Sequence, residues 1–175
     1  MDKKNLIVPL DQSYTLYYHD VSNDNWEKDS YIKITTVSTL NDFVKLYNTL
    51  SNYTSGMFFL MKDPIFPLFE DDANLNGGFW TYKIAKKDMN KLWFDIAGRF
   101  VCNQLTKNPE HMKIINGLSI SPKISNCILK IWNNDSKINQ EKLLFKEDVQ
   151  TILNTECHYR QHVENILNYK TSHKK

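Results

Sequence analysis

Phe79-Trp-Thr-Tyr-Lys-Ile84, followed three residues later by Asp88-Met-Asn-Lys-Leu-Trp-Phe-Asp-Ile-Ala-Gly-Arg-Phe-Val-Cys-Asn-Gln-Leu105, sets a strand pattern directly ahead of a helix pattern. The first run is rich in aromatic and β-branched residues and reads as a strand. The second places Met89, Leu92, Trp93, Ile96, Ala97, Phe100, Val101 and Leu105 on one stripe at the 3.6-residue period, with Asp88 as N-cap. On either side lie further β-type runs at Tyr14–His19, Tyr31–Val37, Met57–Lys62, Leu118–Ile120, Cys127–Trp132 and Val163–Tyr169. A shorter helix starts near Thr39 and buries Leu40, Phe43, Tyr47 and Leu50, with Asp42 completing part of a capping box. Another is centred on Phe145, Val149, Ile152 and Leu153. Modest strands joined mostly by hairpins, with three amphipathic helices among them, predict an α+β fold: one curved antiparallel β-sheet backed by helices on one face. The other face is then a concave surface open to solvent, where loops at the rim can hold a ligand.

The chain has 175 residues, 41% of them hydrophobic and 24% charged, which suits one globular domain over residues 1–175. Its 22 basic and 20 acidic residues leave a formal charge of +2, too little for a broad phosphate-tracking surface, so any nucleic-acid contact has to be local. Cys102, Cys127 and Cys157 are widely spaced with no CxxC pair, which argues for a reducing compartment and against a zinc module. No apolar run approaches the length of a membrane span and the first ten residues lack a signal-peptide core, so the cytoplasm is the expected location. There is no Walker loop, GxSxG, HExxH or dinucleotide fingerprint, and an enzyme is not expected. His158 and His162 read as surface histidines, and Glu70, Asp71 and Asp72 as solvated carboxylates. No metal and no cofactor is expected.

Two places look wrong for a core. Trp26 sits in Ser22-Asn-Asp-Asn-Trp-Glu-Lys-Asp-Ser30, a loop with no other large apolar side chain. It either folds back over a core edge or presents its indole to a flat ligand. The second place is Pro64-Ile-Phe-Pro-Leu-Phe-Glu-Asp-Asp-Ala-Asn-Leu-Asn-Gly-Gly-Phe-Trp80, a long loop with Phe69 and Glu70 adjacent and Gly-Gly ahead of the strand. Phe66, Leu68 and Phe69 can form an apolar plug. Alternatively Phe69 offers a π-face and Glu70 a two-pronged acceptor to one ligand. Gly77 and Gly78 make a bulge or a turn.

Taken together, Trp26, the helix Thr39-Leu-Asn-Asp-Phe-Val44, the segment Leu60-Met-Lys-Asp-Pro-Ile-Phe-Pro-Leu-Phe-Glu-Asp71, Asn76-Gly-Gly-Phe-Trp80 and Lys130-Ile-Trp132 resemble, in order and spacing, the eukaryotic messenger-RNA cap-binding initiation factor 4E family. The resemblance runs from about Pro9 to Tyr169. It implies a cupped antiparallel sheet with three long helices on the convex face. It also implies a concave site holding 7-methylguanosine between two rings, at positions matching Trp26 and Phe69. Glu70 matches the carboxylate that reads guanine, and Trp132 the tryptophan near the N7-methyl group. Methylation at N7 makes the base cationic, so an aromatic sandwich gains cation–π attraction on top of stacking worth about 1 to 3 kcal/mol per base. A carboxylate at Glu70 accepts from guanine N1–H and the N2 amino group, a pair adenine cannot supply.

The match has departures. Phe69 stands where the family usually has Trp, with less stacking area and a weaker quadrupole. Of three basic positions in the family's phosphate clamp, matching Phe79, Lys123 and Ile128, only Lys123 keeps its charge; Lys130, Lys170, Lys174 and Lys175 are candidate substitutes. On the convex face the resemblance implies a groove for a short helix of a scaffold or repressor protein, at positions matching Pro9, Leu40, Val44, Phe94 and Gly98. Phe94 falls off the apolar stripe of its helix, where solvent is expected. Val44 replaces the family's hallmark Trp, and much hot-spot area goes with it. The expected function is recognition of capped mRNA by a monomer that supports translation initiation. The alternatives are a cap-binding repressor that does not engage the usual scaffold, a protein-interaction module that has kept the fold and lost the cap, or a small α+β enzyme.

Overall fold

A computed structural model describes residues 6–172 apart from Ser51 and Thr54, and their side chains apart from Lys142, Leu143, Tyr169, Lys170 and Ser172. Its strands are β1 (Pro9–His19), β2 (Ile32–Thr39), β3 (Met57–Lys62), β4 (Gly78–Ala85), β5 (Ile115–Pro122), β6 (Asn126–Asn133) and β7 (Cys157–Gln161). They form one antiparallel sheet in the order β2-β1-β3-β5-β6-β4-β7. Irregularities between Pro9 and Tyr14, between Leu16 and Tyr17, and between Ile115 and Gly117 interrupt the ladders, as bulges that curve a sheet do. The α-helices are α1 (Leu40–Thr49), α2 (Met89–Val101), α3 (Glu141–Leu144), α4 (Glu147–Leu153) and α5 (His162–Ser172).

Side chains alternate across a strand, and here both faces of the sheet are apolar. On one face Tyr14, Leu16, Leu60, Trp80, Tyr82, Leu118, Ile120, Leu129 and Ile131 join Phe43 of α1, Trp93, Ile96 and Phe100 of α2, and Val149 and Leu153 of α4 in the main core. On the other, Met57, Phe59, Met61, Phe79 and Trp132 form a separate cluster, with Tyr17, Tyr31, Ile65 and Phe69 packed against it. This second cluster lies on the face opposite α1, α2 and α4, and the first residue of α5, His162, packs against it. It is the concave face anticipated from the pattern, and aromatic rings carpet it.

Expectation and structure part at the C-terminal end and at one cap. Val163–Tyr169 is helical, not a strand; the seventh strand is Cys157–Gln161, paired with β4. Val163, Ile166 and Leu167 are spaced by three and one, which suits a helix face, although only Ile166 is buried. The three long helices become five helical stretches, because the third expected helix is split into α3 and α4 and α5 is added. At α1 the capping box is complete: Thr39 Oγ1 accepts from Asp42 N at 3.0 Å and Asp42 Oδ2 accepts from Thr39 N at 2.9 Å. Asp88 makes no side-chain cap; a 3-10 turn over Lys86–Asp88 leads into α2 instead.

Gly77 and Gly78 serve close approach. A Cβ on Gly77 would lie 1.8 Å from the Asn133 carbonyl oxygen, and one on Gly78 would lie 2.3 Å from that of Arg160. Thr39→Ala is expected to lower stability by about 1 kcal/mol, while Asp88→Ala stays within roughly 0.5 kcal/mol of the parent, as read from urea unfolding midpoints.

Candidate functional site

Two loops rise at the rim of the aromatic face. In the first, between β1 and β2, short polar residues bind their own backbone: Asp20 Oδ1 accepts from Ser22 N and Oγ, Asn23 Oδ1 from Asn25 N, and Asn25 Oδ1 from Glu27 N. Trp26 is thereby presented on a folded loop and stays 40% exposed. One face of its indole lies flat on His19, at 4.3 Å between centroids and 2° between planes, and its edge meets Tyr31 at 6.5 Å.

The second loop joins β3 to β4 and is organised by side-chain amides and one acid. Asp71, read from sequence as solvated, accepts from Phe66 N and Ala73 N. Asn74, fully buried, donates to the carbonyls of Phe66 and Leu68, and Asn116 of β5 donates to Ala73 O and Asn74 Oδ1. These bonds place Phe69 and Glu70 together. Phe69 is half-buried and packs on Trp132 at 5.1 Å, Phe79 at 5.7 Å and His162 at 5.0 Å. Glu70 is exposed. Burial, and next the charge of Glu70, push the Tyr31 hydroxyl well above the usual phenol range, and the Tyr31 ring lies 6.5 Å from Trp26 of one loop and 5.3 Å from Phe66 of the other.

Trp26 and Phe69 make no ring contact with each other. Tyr31, Phe59 and Trp132 link them in a chain with centroid steps of 6.5, 5.5, 6.2 and 5.1 Å. Trp132 is buried, and its indole Nε1 donates to Ser119 Oγ at 2.9 Å, which fixes it as part of the floor.

Cations gather beside Phe69 and Phe79. Lys130 Nζ lies 4.1 Å from the Phe79 centroid and 5.4 Å from that of Phe69. Burial, with the charges of Lys123 and Arg160 next, pushes the Lys130 ammonium down to about 8. Arg160 is the register partner of Phe79 across β4 and β7. Among the described residues no carboxylate forms an ion pair with Lys123, Lys130 or Arg160. Ile128, on β6, is half-buried and brings no charge, and the candidate substitutes Lys174 and Lys175 and the Lys170 side chain lie outside the described residues.

His162 is not a surface histidine: it is fully buried under Phe69, Phe79 and Trp132 because it opens α5 under the sheet end, with its backbone N–H on Gly77 O. Burial and the Lys130 charge push it down to about 3, so it is neutral; backbone near Gly78 and Asn133 favours the charged form, yet neither ring nitrogen reaches a hydrogen bond. His158 is exposed, as expected.

Tyr31 and Arg160 were not singled out from sequence. Tyr31 looked like any strand aromatic. Arg160 lay ahead of the misplaced last strand and so had no face assigned.

On the convex side, Leu40 and Val44 line a shallow groove of about 520 Å³ together with Leu6, Val8, Asn41 and Lys45. Pro9 stands at its edge, at the start of β1, where Val8 O accepts from Leu40 N at 2.8 Å. Phe94 is less open than the helix stripe suggests. It is half-buried, stacked on Phe43 at 5.3 Å and against Tyr47 at 3.7 Å, because α1 crosses over that side of α2. Gly98 sits one turn further on, where an added Cβ would lie 3.4 Å from the Phe43 ring.

Among the described residues there is no group of three His, Cys, Asp or Glu side chains placed to hold a metal ion, and no helix is long and apolar enough to cross a membrane. The arrangement offers stacking surfaces, an acceptor and uncompensated positive charge, which is chemistry for holding an anionic ligand with a flat base.

A family model described as eukaryotic initiation factor 4E matches residues 9–175. The eukaryotic translation initiation factor NCBP of Arabidopsis thaliana is 28% identical over 152 residues, covering 81% of this chain and 66% of its own length. Initiation factor 4E1 of Drosophila melanogaster is 32% identical over 146 residues, covering 78% and 53% respectively. The chain thus spans between about half and two thirds of these relatives. Among solved structures, C. elegans eIF4E-3 in complex with the 4E-binding protein Mextli and a cap analog superimposes with a TM-score of 0.81 at 19% identity, covering 93% of this chain and 96% of that one. Schistosome eIF4E, complexed with m7GpppG and 4E-BP, gives 0.80 at 20% identity and 92% of both chains. At these identities the structural likeness establishes the shared fold.

Lys130→Met should raise stability at neutral pH by about 1 kcal/mol, because it removes an ammonium held among rings without a counter-charge. The wild type should also gain stability as pH rises from about 8 toward 10.5, where the unfolded chain keeps a proton on Lys130 that the folded chain has released. Lys62, also pushed down to about 8 by burial, contributes to the same rise, so the variant should lose part of it in thermal melts across that range.

Proposed function

The chain belongs to the eukaryotic initiation factor 4E family, and from that premise we propose that it binds the 7-methylguanosine cap of messenger RNA and serves translation initiation without covalent chemistry. The observation that carries this reading is the meeting of the two rim loops at Tyr31, whose ring lies 6.5 Å from Trp26 of one loop and 5.3 Å from Phe66 of the other. In this reading Trp26 and Phe69 supply the two π-faces for the methylated, cationic base, while Glu70 accepts from its N1–H and N2 amino group. Trp132 forms the floor near the N7-methyl group. Lys123, Lys130 and Arg160 take the negative charge of the cap phosphates, which gives a reason for three cations to gather where, among the described residues, no carboxylate pairs with them. Charge lost at Phe79 and Ile128 is thereby replaced from neighbouring register positions.

The convex groove lined by Leu40 and Val44, together with Pro9 beside it and Phe94 and Gly98 on α2, is the proposed seat for a short helix of a scaffold or repressor protein, engaged by a cytoplasmic monomer built as a single domain. Val44 favours a second reading, a repressor that occupies caps without recruiting the usual scaffold, because an exposed valine offers far less hot-spot area than the family's Trp.

Retention on immobilised 7-methylguanosine, with elution by free competitor, tests the main reading. Glu70→Ala should abolish it, and full-strength retention by that variant would reject the assignment of Glu70 to guanine. Lys130→Met should weaken binding of 7-methylguanosine triphosphate about tenfold and leave the nucleoside nearly unchanged, as followed by fluorescence titration. Titration with a Tyr-x-x-x-x-Leu helix peptide separates the two readings of the convex face: the repressor reading expects weak binding by the wild type and a gain of tenfold or more in Val44→Trp.

A further inference from the structure

His19 is fully buried at the end of β1, opposite Met57 of β3, and both its ring nitrogens meet backbone carbonyls: Nδ1 lies 2.9 Å from Asp20 O and Nε2 lies 2.8 Å from Asn25 O. A carbonyl oxygen only accepts, so each contact is a hydrogen bond only if that nitrogen carries a proton. A neutral imidazole has one N–H and leaves the other nitrogen's lone pair facing an oxygen lone pair; the imidazolium satisfies both. The acceptor at Asn25 belongs to the residue just before Trp26, and the same imidazole lies flat beneath the indole at 4.3 Å. Tyr31 closes the edge of the stack, at 4.9 Å from His19. One side chain therefore ties the loop backbone to β1 and covers one face of Trp26, so that the exposed 40% of the residue leaves the opposite face for a ligand.

We propose that His19, in its doubly protonated form, is the positioning residue of Trp26, fixing which face of the indole is offered to the base; this rests on the cap-binding reading of Trp26. The charged and titratable groups that face His19 are Asp20 of the loop and Tyr31 ahead of β2. The Asp20 carboxyl is held below its usual range chiefly by the Ser22 bonds and in smaller part by charge on His19. β3 brings Met57, which does not titrate, to the opposite side.

The test has two arms. In the 15N-labelled wild-type chain at about pH 6, the His19 ring nitrogens should show the pattern of two protonated nitrogens, and a neutral tautomer there would overturn the proposal. This arm needs no variant and no ligand. In the second arm the affinity for 7-methylguanosine triphosphate is compared between wild type and His19→Phe, which keeps a ring under the indole but has no donor. Binding by the variant should be about tenfold weaker at pH 6. Equal affinity in the two chains would reduce His19 to packing and overturn the proposal. Failure of the wild type to bind the ligand at any pH would defeat the cap-binding reading instead, and the ring-nitrogen pattern would still decide whether His19 ties the loop.

Discussion

The buried amide of Asn133, at the end of β6, holds the site end of the sheet together. Its Oδ1 accepts from Gly78 N at 2.7 Å and Tyr159 Oη at 3.0 Å, while its Nδ2 donates to Asp135 O and Ile138 O at 3.0 and 3.1 Å. Four bonds from one side chain join β4, β6, β7 and the following turn, and leave no polar atom of that amide unsatisfied in a fully buried position. The chain can close this tightly only because Gly77 and Gly78 lack a Cβ. Phe79 follows at once, Trp132 lies one residue before Asn133, and His162 hangs from Gly77 O, so the floor beneath Phe69 inherits its geometry from this junction.

Stability and binding pull in opposite directions around that floor. Rings that stack a base also exclude water, and exclusion of water penalises any charge placed among them. Lys130 shows the conflict, with its ammonium against Phe79, its proton held loosely, and its nearest charged neighbours positive. His162 resolves the same conflict by staying neutral, which leaves two ring nitrogens without partners under the aromatic cluster. A fold selected for stability alone has no use for either arrangement. The rim loops differ from the floor: many of their polar bonds are local, and buried side chains of the sheet, Asn116 of β5 and His19 of β1, tie them down, so Trp26 and Glu70 stand out from an ordered backbone.

Much of this was legible in advance where local pattern and physics coincide. The stripe from Met89 to Val101, the capping box at Thr39 and Asp42, and six of the seven strands follow from periodicity and cap chemistry within a few residues of each position. Val163–Tyr169 was misread because a short apolar segment does not declare its period, and what decides it is the pairing of Cys157–Gln161 with β4, a partner about eighty residues upstream. Asp88 stands at the N-cap of α2, as its spacing predicts, but a 3-10 turn over Lys86–Asp88 leads into the helix and its side chain makes no cap bond.

The sequence by itself determined the α+β pattern, the two loops that carry Trp26, Phe69 and Glu70, and the missing charges at Phe79 and Ile128, because each of these is a property of neighbours along the chain. Only the tertiary structure decided that Lys130 and Arg160 converge beside Phe79, that Tyr31 joins the two loops, that Phe94 is half covered by α1, and that His19 lies beneath Trp26. Those contacts join residues distant in the chain or set by strand register, and electrostatic and stacking energies depend on separations in space that no spacing along a single chain encodes.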